Sequence, residues 1–170
     1  MSHKRGEEAS KTPKDEQRTP PNLFGRINER FHFDCDVAAT DRNALCPTYF
    51  TAKDNALLEA WYPIAGRTFF CNPPYSAGQV QKFLEKGFYE SLKGATVVFL
   101  ISCDVSASYY DICMLASEWI ALKGRVEFCH EDGTPIKGSA MFGSMCVVFD
   151  QAQKVKNRGK TIVTRMDWKE

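Results

Sequence analysis

Asn72, Pro73, Pro74 and Tyr75 stand directly after a short apolar run, Thr68-Phe69-Phe70-Cys71. These residue types in this order suit methylation of an amino group attached to a base ring. Such an amine is a poor nucleophile, because its lone pair is delocalised into the ring. The Asn72 amide oxygen and the Pro73 carbonyl are two acceptors for its two N–H groups, and accepting both helps to localise the lone pair on nitrogen. Tyr75 offers a flat face on which the base can stack. A proline-rich turn that merely ends a strand accounts for the same residues without chemistry.

The elements that must hold this corner follow from the neighbouring pattern. Each proline lacks a ladder N–H and pushes its predecessor into extended geometry, so a strand over 68–71 must stop there. In open α/β sheets the crevice outside the carboxyl ends of the strands is where ligands sit. Thr19 followed by Pro20 predicts a helix start, with the hydroxyl as cap and Leu23, Phe24, Ile27 and Phe31 on one face. His32 to Ala39 alternates Phe33, Cys35 and Val37 against His32, Asp34 and Asp36, which predicts a strand with a wet face. A turn near Asn43 to Pro47 leads to a short strand at Thr48 to Thr51.

Beyond the corner, Ser76 is expected to cap a helix carrying Val80, Phe83, Leu84 and Phe88, closed by Gly94. The β-branched run from Ala95 to Ile101 predicts a parallel strand buried on both faces, with Ser102-Cys103-Asp104 at the same crevice. A helix is expected from Ser108 through Trp119. Gly124 to Phe128 and Met145 to Phe149 read as an antiparallel pair around a long loop, His130 to Ser144. Residues 1–18 mix charges with hardly an apolar side chain and are expected to be a disordered tail. Residues 151–170 carry Lys154, Lys156, Arg158, Lys160 and Arg165, a basic extension that is either a phosphate-binding patch or simply solvated.

Asn72-Pro73-Pro74-Tyr75 resembles the catalytic motif of S-adenosylmethionine-dependent amino-methyltransferases. With Thr19-Pro20-Pro21 and Leu23-Phe24, the segment FDCDVAA from Phe33 to Ala39, and NALLEAW from Asn55 to Trp61, the chain resembles the phage-type DNA N6-adenine methyltransferase (Dam-like) family. The resemblance runs from about Thr19 to about Asp150 and implies one methyltransferase domain over 19–150. Its fold would be α/β and Rossmann-like, with a mostly parallel sheet and a C-terminal antiparallel hairpin. The family's activity is transfer of a methyl group from S-adenosyl-L-methionine to a flipped-out adenine in DNA.

The resemblance further implies that Thr19 and Pro20 border the cofactor, although an ordinary capped helix explains them equally from spacing alone. It gives Asp34, Asp36 and Ala38 the place of the glycine-rich cofactor loop that this sequence lacks. Asp54 or Asn55 would meet the cofactor's adenine. Phe142, in the loop that borders the target base, would stack opposite Tyr75, unless it is core.

Composition sets the outer bounds. At 170 residues the chain is long enough for one domain with a real core. A formal net charge of +1 gives no bulk argument for nucleic acid, so any basic surface must be local. Seven cysteines without CxxC or Cys/His spacing suit a reduced, cytoplasmic setting in a bacterial or phage-infected cell, with no metal site. No apolar run approaches membrane length. Three readings remain open from the residues: methylation of adenine in DNA, methylation of RNA or of a protein glutamine amide, and a non-catalytic nucleic-acid-binding relative. The place of the activity in phage DNA protection, restriction-modification or host regulation is not written in the residues.

Overall fold

The computed structural model describes residues 17–169. In chain order it contains α1 (Pro21–Phe31), β1 (Cys35–Asp36), β2 (Thr48–Tyr49), β3 (Thr68–Cys71), a 3-10 turn (Ser76–Gly78), α2 (Gln79–Leu92), β4 (Thr96–Ser102), α3 (Tyr110–Cys113), β5 (Glu118–Leu122), β6 (Ser144–Asp150), α4 (Gln151–Lys156) and β7 (Ile162–Met166). The strands form one seven-stranded sheet in the order β2-β1-β3-β4-β6-β5-β7. Neighbours from β2 to β4 are parallel, β6 is antiparallel to both β4 and β5, and β7 is parallel to β5. The sheet is therefore mostly parallel with an antiparallel insertion, as a Rossmann-like methyltransferase fold requires.

The apolar runs are long because both faces of the central strands are covered. Phe69, Cys71, Val97, Phe99, Ile101, Val147 and Phe149 pack on one face, with Val80, Phe83 and Leu84 of α2. Phe70, Val98, Leu100, Cys146 and Val148 pack on the other, with Leu23, Phe24 and Ile27 of α1. Helix α2 lies close to β4 at Gly87, where an added Cβ would come within 2.5 Å of the Phe99 ring. That contact needs glycine. All seven cysteines are free thiols, six of them buried. Among the described residues, no helix is long and apolar enough to cross a membrane.

Several expected elements are corrected. Helix α1 starts at Pro21 rather than Pro20, and its N-cap is not Thr19 but Pro20, at φ −54°, ψ 129° without a side-chain cap bond. The reason is steric: Pro21 drives the preceding residue out of the helical region. The wet face expected of the His32–Ala39 strand is absent at Asp36, which is buried because β1 lies between β2 and β3. The helix after β4 ends at Cys113. Ser117 onward turns to period two, so Trp119 belongs to β5, with Ile120 facing the α1 side and Trp119 the other.

Residues 124–128 are not the partner of β6, whose antiparallel neighbours are β4 and β5. The antiparallel pair around a long loop is formed by β5 and β6, and residues 124–128 belong to the loop that crosses the carboxyl end of the sheet, with Cys129 bridging to Arg18 and to Pro135. The basic extension is not a loose tail: Asp150 caps α4 by accepting from the Gln153 N–H at 2.9 Å, and β7 adds a parallel strand to β5. Lys154 donates to the Ala116 carbonyl at 2.6 Å and to Thr161 at 2.8 Å, which fastens it to the fold. The expected N-terminal tail lies outside the described residues apart from Gln17 and Arg18. Arg18 exchanges two backbone hydrogen bonds of 2.8 Å with Cys129.

Candidate active site

The corner at Asn72 stands at the carboxyl end of β3, where the two prolines stop the ladder. Asn72 is half-buried, and its Nδ2 donates to the Thr19 hydroxyl at 3.3 Å. Thr19 is only 2% exposed. With Nδ2 engaged, the amide's acceptor end is the one left to meet a ligand. Thr19 thus reaches the site as an anchor for Asn72, by the same backbone bend that removed it from the helix cap. Pro73 is buried beside it.

Tyr75 is anchored from the neighbouring strand. The Ser102 N–H, at the carboxyl end of β4, donates to the Tyr75 hydroxyl at 2.8 Å, and the Ser102 carbonyl accepts from Tyr109 at 3.1 Å. Burial pushes the Tyr75 phenol above its ordinary range. A tyrosine pinned at its far end presents its ring in one orientation, which is what a stacking platform needs.

Two cavities meet at this corner. A cleft of about 410 Å³ is lined by Val37, Ala38 and Thr40 after β1, Thr51, Asn55 and Leu57 after β2, and Pro74, Ser76 and Phe83 after β3. It is the crevice outside the carboxyl ends of three adjacent parallel strands. A second cavity, about 170 Å³, is lined by Asn72, Tyr75, Ser102, Phe128, Met141 and Phe142. Pro74 lines the first and Asn72 and Tyr75 the second, so the segment from Asn72 to Tyr75 runs between them. A recess of about 10 Å³ lies behind Asn72, bounded by Arg18, Thr19, Asp36 and Ala38.

The sequence-derived candidates divide accordingly. Asp36, Ala38, Asn55, Asn72, Pro74, Tyr75 and Phe142 line one or more of these spaces, and Thr19 joins them through Asn72. Asp36 is 4% exposed, and burial pushes its carboxyl up to about 6 although the Ala38 and Leu45 N–H groups donate to it at 3.3 Å. Asp34 is elsewhere. It precedes β1, at the amino end of the sheet, and accepts from the Arg67 N–H at 2.7 Å and the Thr68 N–H at 3.0 Å. Pro20 lies against the groove at Pro21, Arg125 and Trp168, away from the cleft. Asp54 turns out of the cleft to accept from the Thr51 N–H at 2.7 Å, and Asn55, at φ 52°, faces in.

Sequence reasoning missed Gln17 and Arg18, and it placed Ser102 at the crevice without its bond to Tyr75. The first two sit in a stretch whose composition reads as a tail, and nothing local signals that its end bridges to Cys129. The signal for Ser102 was its position at the end of a buried strand. Ser139, in the long loop, accepts from the Phe128 N–H at 2.8 Å and so holds the loop wall of the smaller cavity.

Comparison with known proteins agrees with this geometry. The chain matches the family described as DNA N-6-adenine-methyltransferase (Dam) over residues 6–170. The DNA N-6-adenine-methyltransferase of Haemophilus phage HP1 (strain HP1c1) is 32% identical over 107 residues, covering 61% of this chain and 59% of the relative. The chain thus spans less than two thirds of that relative's length. The Escherichia coli (strain K12) protein "Putative methyltransferase YfdM" is 42% identical over 65 residues, covering 36% of this chain and 71% of the relative. A match that extends over nearly the whole chain, on a sheet whose third strand ends in Asn72-Pro73-Pro74-Tyr75 between two cavities, means that this chain belongs to the DNA N-6-adenine-methyltransferase (Dam) family.

Proposed function

We propose that the chain transfers a methyl group from S-adenosylmethionine to the N6 amine of an adenine swung out of DNA. The observation that carries the reading is the shared wall: the cleft and the smaller cavity lie on opposite sides of residues 72–75. A donor on one side and an acceptor on the other would meet at Asn72. An N6 amine inside a base pair cannot approach a methyl donor in line, so the base must leave the stack. Family membership favours DNA over an RNA or glutamine acceptor.

The larger cleft fits the cofactor in character. Val37, Leu57 and Phe83 give apolar walls, Thr40, Thr51 and Asn55 give polar edges, and the buried Asp36 carboxylate lies just past Ala38. That carboxylate, ionised above about pH 6, suits an ammonium group. Asn55 is the better candidate for the cofactor's adenine edge, since Asp54 is engaged by Thr51. When bound, the cofactor supplies a methyl group on a sulfonium centre open to in-line attack.

The chain's own residues do the rest. Asn72 Oδ1 and the Pro73 carbonyl accept the two N–H groups of the amine and turn its lone pair toward the cleft. Thr19 keeps the Asn72 amide from flipping. Tyr75, pinned by Ser102, stacks on one face of the base, and Phe142 covers the other. After transfer, one N–H proton leaves the methylated amine for solvent.

Labelled methyl transfer from S-adenosylmethionine to duplex DNA, RNA and protein, run in parallel, tests the reading. Label is expected in DNA, as N6-methyldeoxyadenosine after digestion. Label confined to RNA or protein would overturn the choice of acceptor.

A further inference from the structure

Asn72 and the Pro73 carbonyl recognise two N–H groups and nothing else about the ring that carries them. With those two donors taken, the edge of an adenine beside its amine presents acceptors, the ring nitrogens N1 and N7. A cavity that holds the base in one pose therefore needs a donor on that edge. Five polar side chains line the smaller cavity: Gln17, Asn72, Tyr75, Ser102 and Ser139. Four of them are engaged: Asn72 donates to Thr19 at 3.3 Å, the Tyr75 hydroxyl accepts from the Ser102 N–H at 2.8 Å with the Ser102 hydroxyl 3.4 Å away, and Ser139 accepts from the Phe128 N–H at 2.8 Å. The Gln17 amide makes no hydrogen bond to any other described residue.

The fold explains how Gln17 comes to be there. Arg18 and Cys129 exchange two backbone hydrogen bonds of 2.8 Å, and along extended chain successive side chains point to opposite sides. Gln17 and Phe128, the residues before that pair, therefore project from one face of the bridge, and both line the cavity. Gln17 and Asn72 are also the two residues shared by the cavity and the recess behind the corner, so Gln17 stands next to the amide that meets the amine.

We propose that Gln17 reads the target base: its Nε2 donates to a ring nitrogen flanking the amine of the bound adenine, N1 or N7. This rests on the adenine-methylation reading given above and assigns a further contact within it. A ring held at its amine by two acceptors and beside the amine by one donor cannot turn in its own plane, so the lone pair stays aimed at the cleft. The side chain can be replaced without disturbing the main-chain bridge at Arg18 that places it.

Methyl transfer by the full chain to duplexes carrying adenine, 1-deazaadenine or 7-deazaadenine at the target position, with the native protein and with Gln17→Leu, tests the assignment. In the native protein one of the two analogues is expected to lose about tenfold in kcat/KM against adenine, the equivalent of one hydrogen bond, and Gln17→Leu should lose about the same on adenine. The two losses should not multiply: the variant should treat that analogue and adenine alike to within about twofold. Gln17→Glu, which sets an acceptor against the ring nitrogen, should lose more than Gln17→Leu. In both variants S-adenosylhomocysteine affinity should stay within about twofold of native, and thermal melts check that they fold. If the native protein turns over both analogues as fast as adenine, if Gln17→Leu keeps native turnover, or if the losses multiply, the Gln17 assignment falls and the adenine reading stands. A native protein that transfers no methyl group to duplex DNA overturns both.

Discussion

The amino and carboxyl ends of the parallel strands hold two aspartates, Asp34 and Asp36, two residues apart in the chain and treated in opposite ways. Asp34 at the amino end is solvent-exposed and accepts from the Arg67 and Thr68 N–H groups, and these bonds hold its carboxyl below the usual range. The fit is close: Gly66 follows there because an added Cβ would lie 2.4 Å from that of Asp34. Asp36 at the carboxyl end also accepts two backbone N–H groups, yet burial outweighs them and raises it to about 6. Similar hydrogen bonds with and without water give opposite shifts. The amino end satisfies itself in water, whereas at the carboxyl end the Asp36 carboxylate is buried and the Asn72 amide turns its donor end to Thr19 and lines a cavity.

If that contrast is functional, substitutions at the two ends must fail in different ways. Asn72→Ala removes an acceptor aimed at the reacting amine, and the rate of methyl transfer should fall by about 10²-fold or more, with S-adenosylhomocysteine affinity changed by no more than about twofold. Asp36→Ala should weaken that affinity by about ten- to a hundredfold, read by calorimetry. In the native protein the affinity should decline as the pH falls through about 6, and the variant should lack this dependence. Thr19→Val frees the Asn72 amide to rotate and should lower turnover by about tenfold, with Thr19→Ser retaining most of it. Asp34→Ala is the contrasting case: a loss of about 1 kcal/mol in urea unfolding, with cofactor affinity unchanged.

The pH dependence of stability sharpens the same contrast. The Asp36 carboxyl is raised from an ordinary 3.8, so the folded state binds its proton more tightly than the unfolded chain does. Its contribution favours folding at low pH and is lost as the pH rises from about 4 through about 6. Asp34 is lowered, so its contribution is present above the ordinary carboxylate range and is lost as the pH falls below it. Urea titrations of Asp36→Ala and Asp34→Ala across pH 3 to 7 should therefore depart from the native curve at opposite ends.

The corner, the buried strands and the helix after the corner were legible because each rests on local chemistry: prolines that stop a ladder, a β-branched run, a helical stripe at Val80, Phe83 and Leu84. Asp34 and Asp36 were not separable, since alternation along a strand does not say which end of it meets the crevice. The antiparallel partner of β6 was misread because Gly124 to Phe128 has strand-like residues, whereas Glu118 to Leu122 follows a short helix and reads as its continuation. Strand β7 was hidden by the basic residues that precede it, Lys154, Lys156, Arg158 and Lys160. An edge strand with mostly exposed residues carries little apolar pattern. Arg18 was lost to composition, because its place beside the corner depends on a bridge to Cys129, more than a hundred residues away in the chain.

The central claim, that residues 72–75 grip an amine between two cavities, is tested most directly by a structure of the protein with S-adenosylhomocysteine and an adenine-containing duplex. The adenine N6 should lie at hydrogen-bonding distance, about 2.7–3.2 Å, from both Asn72 Oδ1 and the Pro73 carbonyl, with its ring against Tyr75 and the cofactor in the larger cleft. An adenine still stacked in the duplex, or bound with its N6 away from Asn72, would contradict the account.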